Sequence, residues 1–321
     1  MLCAPALSWG AFGDSFPYHA GMIQVLSHDI LPVFSMLALG FLLGRTEKIS
    51  RDEASAINRV AFLVLQPALI FPMINGLDWS AFRFDAIALY AGCQVAMFTV
   101  TFAIARRFLG CETLEAWLLA MATVFVNTLL YIWPISYLIY GEAAALPVTA
   151  VVAWDTAISF AFFIITTDLL ANRTATPAKS IQRVATNPVL IAIVLGAIGN
   201  ALRIPTPEPV LTAMQFAGAG AAPLTLFALG VILSGQTLTP TTRVAVISGL
   251  KLLAFPILVW SALHIGDRPD DWNALLLLCA AGPSGAMAFA LAMLHGVRTD
   301  TIAPVVIWTS TLSLLSLAWL A

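Results

Sequence analysis

Charge is scarce in this chain: 10% of its 321 residues are charged, where an ordinary soluble protein carries about 25%. Cysteine is scarcer still. Cys3, Cys93, Cys111 and Cys279 show no CxxC spacing, which argues against both a metal site and a disulfide framework. Cys93 and Cys279 fall mid-helix, where cysteine packs as a small hydrophobe. There is no HExxH, and no cofactor motif calls for a cofactor. The net charge of −2 and the lack of a basic patch exclude nucleic acid as a partner. Residues 1–27 hold no Lys or Arg and so lack the charged start of a cleaved signal peptide. Met22 stands just before the first apolar run; a start there would make residues 1–21 over-annotated, and the alternative is a disordered tail.

What the chain has instead is apolar length. It is 60% hydrophobic, with a mean hydropathy of +0.92. About 20 apolar residues, rising 1.5 Å each, cross a bilayer core of about 30 Å. Ten segments qualify, at about 28–45, 56–75, 85–105, 114–140, 143–169, 186–203, 208–234, 243–264, 271–296 and 299–320. In lipid each backbone polar group must be paired within its own segment, so these are expected to be helices. Continuous rather than alternating runs exclude a β-barrel. The expected fold class is an all-α polytopic membrane protein in the lipid bilayer.

The second half echoes the first. Pro32-Val33 and Leu39-Gly40 recur 156 positions on as Pro188-Val189 and Leu195-Gly196. The run 66–71 matches 222–227 at the same offset, Gly92 and Phe98 find Gly249 and Phe255 at 157, Gly141 finds Gly296 at 155, and Pro147 finds Pro304 at 157. Internal duplication in an apolar chain is a mark of secondary transporters. The expected division is a tail at 1–27, repeat one at 28–169, a cytoplasmic linker at 170–185 and repeat two at 186–321. The linker from Asn172 to Arg183 reads as a flexible connection without chemistry of its own.

Loop charges give an orientation. One set of loops holds 12 of the 15 basic residues, including Arg45, Lys48, Arg106, Arg107, Lys179, Arg183, Arg243 and Arg298; the other holds only Arg83, Arg203 and Arg268. By the positive-inside rule both termini lie outside the cytoplasm, and the setting is a plasma (cell inner) membrane. Trp79, Trp272 and Trp319 are expected at the outer boundary as an aromatic belt. Five spans per half is an odd number, so the halves are inserted upside down to each other. The architecture expected is ten helices as 5+5 inverted repeats.

Two spans are expected to break. Asn127-Thr128 lies roughly 20 Å deep in the fourth, followed by Pro134, and Gly282-Pro283-Ser284-Gly285 lies as deep in the ninth. Proline removes a helix hydrogen bond and clashes with the preceding turn. Unwound backbone at that depth is tolerated where it lines a cavity or is buried in protein. Crossing breaks would aim half-helix ends at one point, a site for a substrate; the plainer alternative is two kinks. Asp155, mid-span, is read as a proton-coupling group, against a structural carboxyl bonded to a neighbour. Lys251 is read as a substrate contact, against a side chain that snorkels to the interface. Gln66 and Gln94 read as helix–helix partners, and His264 and His295 as interfacial residues. The substrate-binding set is therefore Asn127, Thr128, Pro134, Pro283, Ser284 and Lys251, with Asp155 for coupling. The GxSG pattern at Ser284 also fits an intramembrane serine hydrolase. That reading lacks a base, because His295 lies eleven residues on.

Several stretches carry a family resemblance. Ile30-Leu-Pro-Val-Phe, Leu39-Gly-Phe-Leu-Leu-Gly-Arg and Pro67-Ala-Leu-Ile-Phe resemble the opening of the auxin efflux carrier family, which includes bacterial malonate and malate permeases. Lys251-Leu-Leu-Ala-Phe-Pro256, Pro283 with its small neighbours, and Asn127-Thr128 with Pro134 resemble its eighth, ninth and fourth spans. Leu129 and Ile132 stand where that family usually has glycine. The resemblance implies helices 4 and 9 crossing at the site, a scaffold of helices 1, 2, 6 and 7, and an elevator-like movement. It also implies a small organic anion, a carboxylate, as substrate, and a homodimer. A drug/metabolite-type exporter, also five plus five, is the alternative; it would have cytoplasmic termini and unbroken fourth and ninth helices.

Overall fold

A computed structural model describes residues 22–171, 177–265 and 268–320. The expected tail at 1–21 and linker residues 172–176 lie outside the described residues. The described chain is helical, with no strand beyond one isolated bridge. In order, the helices are α1 (Met22–Arg45), α2 (Arg51–Asn75), α3 (Phe84–Arg107), α4 (Thr113–Val124), α5 (128–140) and α6 (145–171). They continue as α7 (Pro177–Ala185), α8 (Pro188–Ala201), α9 (Glu208–Ser234), α10 (Thr242–Leu263), α11 (Asp270–Ala281), α12 (Met287–Leu294) and α13 (Ile302–Leu320).

Among the described residues, seven helices are long and apolar enough to cross a membrane, or eight if the bent pair α7–α8 is one span. The difference from ten expected segments has local causes. The fourth and ninth segments are each broken in two. From Thr128 to Ala171 the chain is helical throughout its 44 residues, but Gly141 turns at φ +60° into the short 3-10 turn Gly141–Ala144. A straight helix of that length would run about 66 Å, twice the thickness of a bilayer core. The described end of the linker is helical. Residues 177–185 form α7, which meets α8 at 65°.

Among the described residues five helices contain a widened π turn, and four of these have one cause. The π turns at Leu26–Ile30, Ala61–Leu65, Thr128–Ile132 and Leu250–Ala254 each end two residues before a proline: Pro32, Pro67, Pro134 and Pro256. A helical proline offers no N–H and its ring clashes with the carbonyl four residues back. Shifting the preceding bonds to i→i−5, as in Trp133 N–H to Thr128 O, carries that carbonyl out of the way. The fifth, Trp154–Ser159, has no proline behind it.

Helix α9 packs along α1, and α8 along α2. Close approach there requires glycine. A Cβ at Gly40 would stand 2.0 Å from Phe227 O, one at Gly230 2.1 Å from Leu37 O, and one at Gly196 3.0 Å from Phe71 O. Without a hydrophobic drive between helices in lipid, such small-residue contact is a main source of association. Gln66 donates to Thr225 Oγ1 at 3.3 Å across the same layer, as a helix–helix partner should. Of the three expected belt tryptophans, Trp79 and Trp319 are exposed, but Trp272 is buried, edge-on to Phe82.

Candidate functional site

The two helix breaks meet. After Val124 the chain extends through Phe125 and Asn127, and after Ala281 it extends from Gly282. The segments run antiparallel, with Val126 opposite Ser284. Asn127 N–H donates to Pro283 O at 3.0 Å, and Gly285 N–H to Phe125 O at 2.8 Å. The segments thus spend part of their backbone on each other rather than leaving it free for a ligand. Small residues permit the approach: a Cβ on Gly282 would sit 2.6 Å from the Ile132 side chain. The first N–H groups of α5, by contrast, have no helical partner and face the crossing with the positive end of the helix dipole.

Asn127 is half-buried, and its side-chain amide makes no hydrogen bond among the described residues. Ser284 is buried; its N–H donates to Thr309 Oγ1 at 3.2 Å, while its own Oγ lacks a partner. A buried hydroxyl without a partner is a destabilising arrangement that a bound polar ligand would relieve. Thr128 lies on the first turn of α5 and donates to Asp155 Oδ2 at 3.3 Å. Pro134 takes no part in the crossing pair; its position accounts for the π turn that carries Thr128.

Asp155, 2% exposed, sits in the π turn of α6. Its Oδ1 accepts from Gln94 Nε2 at 2.7 Å. The same nitrogen donates to Val124 O at 3.1 Å, and Gln94 Oε1 accepts from Trp154 Nε1 at 2.7 Å. Since indole nitrogen only donates, Trp154 fixes which end of the Gln94 amide faces which partner. Lys251 is fully buried rather than snorkelling. Its Nζ donates to Ala280 O at 2.7 Å and stands 4.8 Å from the centre of the Phe255 ring, within cation–π range. Asp155 and Lys251 interact electrostatically without a direct ion-pair contact. Tyr90, also fully buried, adds an unpartnered hydroxyl beside Phe255.

The sequence reading missed several groups. Gln94, read as a helix–helix partner, does join α3 to α4 and α6, but its place in the Asp155 cluster was not foreseen. His295, read as interfacial, has its Nε2 at 3.0 Å from buried Asp168 Oδ1, although not in hydrogen-bond alignment. Arg183 of α7 reaches the same carboxylate at 2.6 Å. Buried Glu115 takes Arg243 at 3.3 Å and Arg298 at 3.9 Å, whereas Asp85 takes Arg83 at 2.9 Å and Arg268 at 3.1 Å. Glu115, whose basic partners lie more than a hundred residues away, leaves no local sequence signal. A cavity of about 460 Å³ between α10 and α13, lined by Val244, Gly249, Leu252, Trp308 and Leu312, is apolar and lies away from the crossing.

Comparison with known proteins bears on the site. The family described as "Membrane transport protein" matches residues 25–320. A Rhizobium meliloti (strain 1021) protein named "Putative malonate transporter" is 26% identical over 298 residues, covering 88% of this chain and 91% of its own. An "Uncharacterized transporter" of Methanothermobacter thermautotrophicus is 25% identical over 295 residues, covering 91% of this chain and 96% of its own. The family and these relatives are transporters rather than enzymes.

Proposed function

We propose, for a chain that belongs to the membrane transport protein family, the auxin efflux carriers' own, that it is a secondary carrier of a small organic carboxylate. The substrate site in this reading is the crossing of α4–α5 with α11–α12. The observation that carries it is the backbone pairing of two helix breaks around two unengaged polar groups, the Asn127 amide and the Ser284 hydroxyl. Lys251 and the N-terminal end of α5 supply positive potential for the carboxylate. The malonate name of the Rhizobium meliloti relative favours this substrate class.

In the same reading the chain forms ten spans as 5+5 inverted repeats. The close approaches support this by being reciprocal at the sequence offset of 156: Gly40 meets Phe227, and its counterpart Gly196 meets Phe71, the counterpart of Phe227. Helices α1, α2, α8 and α9 are the scaffold, against which the rest moves in an elevator-like cycle, with dimerisation through the scaffold. Both termini lie outside the cytoplasm of a plasma membrane. The ion pairs agree with that orientation. Glu115 and Asp168 gather only basic residues from the rich loop set, and Asp85 only those from the poor set. Asp155 couples transport to a proton.

The test is uptake of radiolabelled malonate, or of the small carboxylate that most raises the protein's melting temperature, by proteoliposomes. Asn127→Ala lowers uptake by at least about tenfold, the worth of one hydrogen bond to a charged group. It leaves melting unchanged, since no internal bond is lost. Normal uptake by both Asn127→Ala and Ser284→Ala moves the site elsewhere.

A further inference from the structure

We infer that Gln94 and Lys251 are positioning residues that keep the two crossing helices broken, each by occupying the carbonyl that a continuous helix would need. In an unbroken α-helix Val124 O would accept from Thr128 N–H, and Ala280 O from Ser284 N–H. Here Gln94 Nε2 fills Val124 O at 3.1 Å and Lys251 Nζ fills Ala280 O at 2.7 Å. Ser284 N–H turns instead to Thr309 Oγ1 at 3.2 Å. The two arrangements are counterparts. The offset of 157 that takes Gly92 to Gly249 and Phe98 to Phe255 takes Gln94 to Lys251, and an offset of 156 takes Val124 to Ala280.

Each donor therefore caps the carbonyl end of the half-helix that enters the crossing, where the helix dipole is negative and carbonyls lack partners. One repeat uses a neutral amide, the other an ammonium. Capping needs only the donor, so glutamine at position 251 suffices for it: from position 94 glutamine already reaches the counterpart carbonyl. The role in transport rests on the crossing being the substrate site; the geometric role does not.

The experiment therefore reads the crossing without a substrate. Val126 and Ser284 are opposed without hydrogen bonds to each other, a pairing that places Cα atoms about 4.5 Å apart, within disulfide range. Val126→Cys and Ser284→Cys are introduced together into the full chain in membranes and oxidised, and the cross-linked peptide is followed by mass spectrometry. The bond forms with native Gln94 and Lys251 and equally with Lys251→Gln. With Gln94→Leu or Lys251→Met it forms at least about tenfold more slowly, the loss expected when a buried carbonyl loses its donor. Should Gln94→Leu fail to fold, Gln94→Lys (donor kept) is compared with Gln94→Glu (donor lost). Cross-linking by the donorless variants at the native rate overturns the inference, and so does failure of Lys251→Gln alongside Lys251→Met. If Asn127→Ala transports normally while cross-linking still needs both donors, the substrate-site reading fails and the positioning role stands. Uptake lost in Asn127→Ala with cross-linking indifferent to both donors gives the reverse.

Discussion

Gly40→Ala tests the packing of the scaffold most directly. The added methyl would stand 2.0 Å from Phe227 O and 2.8 Å from Phe227 C, both backbone atoms of α9. No side chain can rotate away, so α1 and α9 must part by about an ångström along much of their contact. Overpacking of this kind costs about 1–3 kcal/mol. For a chain of this size that is a fall of roughly 2–12 °C in melting temperature, at about 2–4 °C per kcal/mol. Gly196→Ala, its counterpart at the offset of 156, meets Phe71 O only at 3.0 Å and should lose less. Gly92→Ala and Gly249→Ala serve as controls. Neither methyl meets anything within 4 Å, and helical glycine-to-alanine changes in open space stabilise by about 0.4–1 kcal/mol. The assay is intrinsic-fluorescence melting of detergent-solubilised protein. If Gly40→Ala melts with or above Gly92→Ala, the α1–α9 contact is not as close as described, and the argument for a tightly packed scaffold fails.

The remaining tests bear on the site and its orientation. Ser284→Ala removes a hydroxyl that bonds nothing, so melting should hold or rise slightly while the KM for the carboxylate increases; a lower melting temperature would assign the hydroxyl a structural partner. Asp155→Asn mimics the protonated acid and should abolish the pH dependence of uptake while sparing binding; an unchanged pH profile reduces Asp155 to a structural residue. Cysteine-accessibility labelling should find positions 142 and 270 from outside and positions 48, 179 and 298 from inside. The opposite pattern would overturn the orientation together with the sorting of ion pairs that supports it.

The breaks were legible because proline and glycine act locally. Gly282-Pro283 breaks the ninth segment, and the near-constant repeat offset sets Asn127-Thr128 opposite it, whereas Pro134 only widens a turn within α5. Asp155 was legible because a carboxylate in an apolar run is costly without a purpose. Gln94 was legible as a helix–helix partner but not as a cap, because that role exists only once the break frees Val124 O. Lys251 looked able to snorkel because it lies near a span end, but its side chain turns inward to Ala280 O, with Phe255 beside it. Glu115 escaped notice because its partners, Arg243 and Arg298, come from distant segments, and Asp168 because its partner Arg183 lies across the linker in α7.

The π turns join these observations. Thr128, Asp155 and Lys251 all sit in one, and a π turn leaves its helix with irregular side-chain spacing and loosened backbone bonding. Two of the three follow from prolines two residues downstream, Pro134 and Pro256, which lie outside the paired segments. Those prolines therefore act at a distance: they set the register from which Thr128 reaches Asp155 and Lys251 reaches Ala280 O. The third turn has no proline to enforce it. Its Asp155 is held instead by Gln94 and Thr128, so the bonds to the carboxylate help to define the turn. Protonation of Asp155 would weaken the grip of both donors and act on the one π turn free to relax, while those carrying Thr128 and Lys251 stay fixed by covalent structure. A proton-coupled movement would thus begin in α6 and reach the crossing through Thr128.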